Sequence, residues 1–554
     1  MTNKQSSRHP AGLWVLFTTE LWERFAFYAM RAILTLYLIS EANRQGNPGF
    51  GWSEADAYML YGWYLSLVYV APIFGGWLAD MLLGQRRAVI IGAILMAIGE
   101  FFLFATESIR IGEGTPITLA TDPTALYTFY AGLGLMILGN GFFKPCISVM
   151  VGQLYEPGDR RRDSAFTIFY MGINIGAALS PILAGFLAAK YGYQWGFFAA
   201  GIGMCIGLTI QLVFSPIFLK GIGTLEKHHG NKERTPEEQE KLDRKIYEQN
   251  RPIVKQDWDR MFVIVVLSLF VIAFWLTFEQ AGSSLNVFAE KSTDRVVPNV
   301  LTKFTLYTDI NTSKQDSRFF NHAQDEKSEN ARIAEEAAQK LIASGASDIK
   351  IEQAKNAAEI ARKEADDPRY EGQYVFPAAW YQSVNAICIV IFAPIFTLIW
   401  NFLYRWGIEP STPVKFALGL LLVSASFFVM IPGAMQAART GGNAAAYWLL
   451  ACYLFATWGE LCLSPVGLSM ISKLAPARYA SIFMGIWFLA SASAYWLAGY
   501  CAAVFAAGAG LSFFFGKENG LADFFLLLAV IPAVIGFIAL LMAPMLKKKM
   551  HGFY

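Results

Sequence analysis

Apolar residues run along this chain in blocks of about twenty or more, the length at which an α-helix crosses the hydrocarbon of a bilayer. Twelve such blocks fall at approximately 13–39, 56–81, 86–106, 126–151, 164–189, 194–219, 260–288, 376–403, 413–435, 446–472, 479–507 and 521–546. Internal glycines and prolines are compatible with this, because packed neighbours satisfy the backbone groups they free. Two longer polar stretches interrupt the series. Lys220 to Asp259, rich in Lys and Glu, divides the blocks six and six, and Glu290 to Val375 separates the seventh from the eighth. The pattern predicts an all-α membrane protein of twelve transmembrane helices: a six-helix bundle over 1–219, a linker at 220–259, helix seven at 260–289, a polar insert at 290–375, and helices eight to twelve with the tail at 376–554. Inside the insert, Ile333, Ala337 and Leu341 and then Ile351, Ala354 and Ala358 form two weak helical stripes, broken at Ser344-Gly-Ala-Ser347. They predict a helical hairpin over Ala323 to Ala365 whose charges are a solvated face.

Charge orients the bundle. Lys4, Arg8, Arg86, Arg87, Arg160 to Arg162, Arg405, Lys415, Lys473, Arg478 and Lys547 to Lys549 all fall on one side of the predicted spans. The other side's short loops carry little beyond Arg44, Arg110, Lys190, Arg439 and Lys517. The positive-inside rule places both termini and the linker in the cytoplasm and the insert outside. Composition agrees with a lipid-embedded chain: 55% of 554 residues are hydrophobic, 16% are charged, and the mean hydropathy is +0.38. A net charge of +2 gives no nucleic-acid signal. The six cysteines lie in apolar segments with no metal-ligand spacing, and no nucleophile, base and orienting group come together in sequence, so neither a metal centre nor an enzyme is expected.

The informative residues are those that break the apolar pattern. Glu20, Glu23, Arg24, Phe27, Tyr28 and Arg31 share one face of the first helix. A charge near the bilayer centre costs at least ~2.5 kcal/mol on insertion scales, so this face looks into protein or water. Lys144, two turns from the inner end of the fourth helix, has the depth of Glu20 and Glu23 and is their expected partner. Glu279, two turns from the outer end of the seventh, has the depth of Arg31. Glu460 lies near the midplane of the tenth helix, and Asn174 and Asn385 add neutral polar groups. Glu100 is expected to snorkel outward and has no role. Charges carried by both halves at mid-membrane depth match the architecture of alternating-access transporters.

These residues also carry a family resemblance. Glu20-x-x-Glu23-Arg24-Phe25-x-Phe27-Tyr28 resembles the ExxERFxYY motif of proton-dependent oligopeptide transporters, within the major facilitator superfamily, with Phe27 where tyrosine is usual. Gly75-Gly-Trp-Leu-Ala-Asp80, Gly139-Asn-Gly-Phe-Phe-Lys144-Pro145, Phe169 to Gly176, Phe278-Glu279-Gln280 and Glu460 to Pro465 resemble further signatures of that family. The resemblance implies the major facilitator fold and symport of di- and tripeptides with protons in a bacterial inner (plasma) membrane, by a functional unit expected to be monomeric. It implies no cofactor, with protons as the coupling ion. Nitrate-type, sugar or drug transport on the same fold is the alternative.

The physical form of that activity follows from the substrate. A zwitterion needs a cationic anchor and an anionic one. Arg24 and Lys144, with Arg31 and Tyr28, are expected to hold the carboxylate, and Glu460, with Asn174 and Asn385, the amine. Tyr69, Trp275, Trp487 and Phe488 are expected to line the side-chain pockets, and Ser464 is a further expected substrate-binding residue. All five histidines, at 9, 228, 229, 322 and 551, lie outside the spans, so a carboxylate carries the proton. Glu20, Glu23 and Glu279, with Arg24 and Lys144 as counter-charges, are the expected proton-coupling set, and Arg31 with Glu279 the outer gate.

Overall fold

The computed structural model describes residues 9–111, 114–156, 159, 161–224, 252–298, 306–308, 315–317, 320–345, 347–507, 513–516 and 519–552. The orienting charges Lys4, Arg8, Arg160 and Lys517 and most of the linker at 220–259 lie outside the described residues.

The first half comprises α1 (Ala11–Ile39), α2 (Glu54–Leu78), α3 (Gln85–Ser108), α4 (Pro123–Gln153), α5 (Arg161–Tyr191) and α6 (Tyr193–Phe218). Next come α7 (Lys255–Phe278), a short α8 (Ser284–Lys291), the insert helices α9 (Ala323–Ala343) and α10 (Asp348–Ala365), and then α11 (Gln382–Arg405), α12 (Thr412–Thr440), α13 (Ala446–Leu474), α14 (Ala480–Ala506) and α15 (Gly520–Lys549). Among the described residues, eleven spans qualify as membrane-crossing by length and composition. The twelfth long helix is α1, whose 29 residues include Glu20, Glu23, Arg24 and Arg31. α5 and α6 pack along it, and its charged side chains meet Asn140 of α4 and Glu279 beyond α7.

Local sequence sets several helix ends. The Ser53 hydroxyl accepts from the Asp56 N–H to start α2, and the Asp122 carboxylate accepts from Ala125 N–H beside Pro123 to start α4. Gly441, at φ 68°, ends α12 in the left-handed conformation.

Small residues let the helices approach closely. Gly62 of α2 faces Gly499 of α14 so tightly that a Cβ on Gly62 would stand 2.9 Å from the Gly499 Cα. This contact joins the two halves near their outer ends. Among the described residues, the hydrogen bonds and ion pairs that cross between halves lie at Tyr69 or on the insert side of it. The protein is therefore closed on the side that carries the insert.

Two expectations need correction. The seventh block is not one helix over 260–288. α7 ends at Phe278, a 3-10 turn follows over Glu279–Gly282, and α8 restarts at Ser284. The cause is Ala281-Gly282-Ser283-Ser284: both serine hydroxyls donate to the Gln280 side-chain oxygen, at 3.3 and 2.6 Å, and the Gln280 amide donates to the Ala498 carbonyl at 3.1 Å. Such a break survives at membrane depth because protein surrounds it.

The hairpin forms as expected, but its charges are not simply a solvated face. Glu329, Arg332 and Glu336 align on one side of α9 and meet the α1–α2 loop, while Lys327 and Glu364 meet Asn443 in the α12–α13 loop.

Candidate functional site

On α1 the charges are buried together. Glu23 is fully buried, and Glu20 and Arg24 are 3% and 5% exposed. Arg24 Nε lies 2.9 Å from Glu20 Oε1 and pairs with Glu23 as well. A second oxygen of Glu23 accepts from Asn140 Nδ2 of α4 at 3.3 Å. The guanidinium also lies 5.6 Å from the Phe27 ring, so phenylalanine at this position supplies a π-face in place of a hydroxyl. Arg24 Nη2 is buried without a partner, leaving one arm of the fork open. Gly176 of α5 lets that helix lie against the Leu21 carbonyl and the Arg24 Cβ. A side chain there would push α5 off the cluster.

Lys144 does not pair with Glu20 or Glu23 in this conformation. Its Nζ lies 3.7 Å from the centroid of the Tyr69 ring, and it makes no ion pair among the described residues. Depth along a helix gave the right height, but Arg24 is on the carboxylates' own helix and occupies them first. Tyr69 in turn packs on Tyr495 of α14, with ring centroids 4.4 Å apart. This places the lysine beside a contact between the halves.

The outer pair is formed. Arg31 Nη2 stands 2.6 Å from Glu279 Oε2, with side-chain exposures of 11% and 5%. Arg31 Nε donates to the Tyr61 hydroxyl at 2.8 Å, and its guanidinium lies 5.7 Å from the Tyr28 ring. Two more bonds tie α1 to the broken segment: Thr35 Oγ1 donates to the Gly282 carbonyl at 2.7 Å, and Asn286 Nδ2 donates to the Ala32 carbonyl at 2.9 Å. The break after α7 thus creates the carbonyl and the re-aimed amide that close on α1. Tyr61 and Thr35 carry no distinguishing sequence signal; a tyrosine or threonine in an apolar block reads as packing.

In the second half, Asn385 Nδ2 of α11 donates to Glu460 Oε2 and to Thr457 Oγ1, each at 3.0 Å. This amide holds the Glu460 carboxylate of α13 against α11. Asn174 is buried and donates to the Tyr170 carbonyl at 2.9 Å on its own helix. Trp275 is half-buried and sits edge-on to Phe278 and Tyr495. Ser464 is half-buried on the same helix as Glu460.

Trp487 is not a pocket residue here. It is 6% exposed, packs edge-on to Phe416, and presses so close to Gly467 that a Cβ there would meet its ring at 2.4 Å. It belongs to the packed core of the second half. Glu100 does not snorkel. It is fully buried in α3, and both carboxyl oxygens lack a hydrogen-bond partner. No group of three or more metal-ligating side chains occurs among the described residues.

The arrangement brings cations of the first half and a carboxylate of the second to one interface, with an interhalf ion pair above them. The sequence profile of the POT family matches residues 86–226 and 367–517. An uncharacterised transporter, YclF, of Bacillus subtilis is 34% identical over 545 residues, covering 98% of this chain and 96% of its own length. A di-/tripeptide transporter of Lactococcus lactis subsp. cremoris is 33% identical over 523 residues, 93% of each chain. Among solved structures, a mutant of a peptide transporter POT in complex with alafosfalin superposes with a TM-score of 0.70 at 28% identity, over 99% of this chain and 97% of that one.

Proposed function

This chain belongs to the POT family, an integral membrane transporter rather than an enzyme, and we propose that it imports di- and tripeptides in symport with protons by alternating access. The observation that carries this reading is the opposition of charge across the interface between halves. Arg24, with an open fork arm, and Lys144, with no carboxylate partner, lie on α1 and α4. Glu460, held by Asn385, lies on α13 of the second half.

A peptide bridges these groups through its termini: the carboxylate meets the guanidinium and the ammonium of Lys144, and the amine meets Glu460. Recognition of termini leaves the side chains to Tyr69 and Trp275, which gives broad specificity. The proton carriers in this reading are Glu20, Glu23 and Glu279, since no histidine lies in a span. No cofactor takes part. The site sits in the inner (plasma) membrane of a bacterium with both termini in the cytoplasm, and one copy is the functional unit.

The experiment that tests the amine contact compares free and N-acetylated dipeptides as competitors in Glu460→Gln. Removing the carboxylate charge weakens the free peptide by about tenfold, the equivalent of ~1.4 kcal/mol, and leaves the acetylated peptide unchanged. Equal losses for both competitors rule out Glu460 as the amine anchor.

A further inference from the structure

The insert is absent from the chemistry above, yet it touches both halves. Its roots belong to the second half. Thr293–Asp294 pairs in parallel with Ala444–Ala445. Arg295, 6% exposed, pairs with Glu326 at 2.6 Å and donates to the Phe376 carbonyl at 2.5 Å. At the far end of the hairpin's contact with that half, Asn443 Nδ2 donates to Glu364 Oε1 at 2.9 Å, Lys327 pairs with Glu364 at 2.7 Å, and the Tyr370 hydroxyl donates to Asn443 Oδ1 at 3.1 Å. A strand pair and a buried arginine make this attachment permanent on the scale of a transport cycle.

The attachment to the first half is of another kind. The Gln45 backbone N–H donates to Glu329 Oε1 at 2.8 Å, Asn43 Nδ2 donates to Glu336 Oε2 at 2.5 Å, and Arg332 Nη2 donates to the Asn43 carbonyl at 2.8 Å. Arg332 also pairs with Glu329 at 2.6 Å and with Glu336, which fixes the three side chains as one unit. Its guanidinium holds the Glu329 carboxyl below the usual carboxylate range. Asn321 Nδ2 adds a bond to the Ala189 carbonyl at the α5–α6 turn, at 2.9 Å. These are partly exposed polar contacts between side chains and a loop, each worth little and screened by salt.

We propose that the insert is a built-in latch: it moves with the second half and holds the outer side closed by gripping the α1–α2 loop through Glu329, Arg332 and Glu336. Opening to the outside carries the α1–α2 loop away from the α12–α13 loop, and the hairpin cannot follow both. The firm root and the weak tip dictate that the tip lets go. A cavity of about 320 Å³ lies under the hairpin, lined by Arg44, Asn47 and Tyr193 of the first half and by Glu290, Arg295 and Asp325 of the insert side. The latch acts on the balance between closed and open forms and on how that balance responds to ionic strength. The inference rests on the alternating-access reading above.

The test measures spin-label distances between the α1–α2 and α12–α13 loops in three forms of the full chain: the wild type, the triple variant Glu329→Gln/Arg332→Ala/Glu336→Gln, and a chain with the hairpin excised. Excision is geometrically simple, because Asn321–His322 and Tyr374–Val375 pair antiparallel and leave the cut ends adjacent. Both altered chains are expected to raise the open-to-closed ratio by about tenfold. Raising salt is expected to do the same to the wild type and distinctly less to the excised chain, in which the exposed Lys291–Glu54 pair remains between the halves. If the triple variant does not fold, the excised chain and the salt titration decide. Unchanged distances in the altered chains, or a salt response that excision does not diminish, overturn the latch. Labelled dipeptide uptake by the wild type is followed in parallel: uptake with unchanged distances sinks the latch alone, whereas a wild type that carries no dipeptide sinks the transport reading itself.

Discussion

Glu279→Gln is expected to hold the outer side open at every pH and to remove the pH dependence of uptake while peptide exchange continues. The sign follows from the pair. Ionised Glu279 meets Arg31 at 2.6 Å across the interface between halves and stabilises the closed form. A proton on Glu279 removes the attraction, so falling pH favours opening and rising pH favours closure. Glutamine has the shape of the protonated acid and cannot ionise, which fixes the open bias. Breaking a buried pair from one side costs about 3–5 kcal/mol, and part of this is recovered by the glutamine amide and by the Tyr61 hydroxyl that remains on Arg31. A tenfold or larger rise in the open population is therefore expected. It is read from spin-label distances across the outer ends of α1 and α7, on a background with the six free cysteines replaced. A distance distribution and pH response identical to the wild type would leave Arg31–Glu279 as a static bridge.

Lys144→Ala is expected to abolish uphill, gradient-driven uptake while downhill exchange of peptide persists. Lys144 has no ion pair among the described residues and rests on Tyr69. It is the cation free to move when a peptide carboxylate arrives. Arg24 stays bound to its own two glutamates and offers the substrate only its open arm, so Lys144 is the cation that moves to the peptide carboxylate, and the glutamates lose a counter-charge and accept the proton. Without Lys144 that link is cut. Uphill uptake should fall at least ~100-fold, about 2.7 kcal/mol, with counterflow reduced far less. Equal loss of both activities would make Lys144 a binding residue alone, and undiminished uphill uptake would remove it from coupling.

Much of this site was legible because charge in an apolar block has few innocent explanations. Glu20, Glu23, Arg24 and Arg31 announced a buried polar face on α1, and matched depth predicted the Arg31–Glu279 pair. What depth cannot give is direction around the helix axis. That is why Lys144 was expected on the carboxylates and stands on Tyr69, and why Glu100 was expected at the surface and is fully buried. Aromatic residues fail in the same way: Trp275 faces Tyr495 at the interface, whereas Trp487 packs against Phe416 in the core, and both sit in equally apolar stretches. The break after Phe278 was hidden because Gly and Ser are ordinary in membrane helices, and only the Gln280 side chain, bonded to Ser283 and Ser284, makes the interruption stable. The hairpin was found from its stripes, but its grip on Asn43 depends on a loop nearly three hundred residues earlier in the chain.

The central claim, that this chain couples peptide entry to proton entry, is tested most directly by uptake of a labelled dipeptide into proteoliposomes holding the purified protein. The account predicts accumulation above the external concentration when a proton gradient is imposed, collapse to equilibration when a protonophore is added, and competition by unlabelled di- and tripeptides. Accumulation of nitrate, a sugar or a drug under the same gradient, with no uptake of the dipeptide, would contradict it.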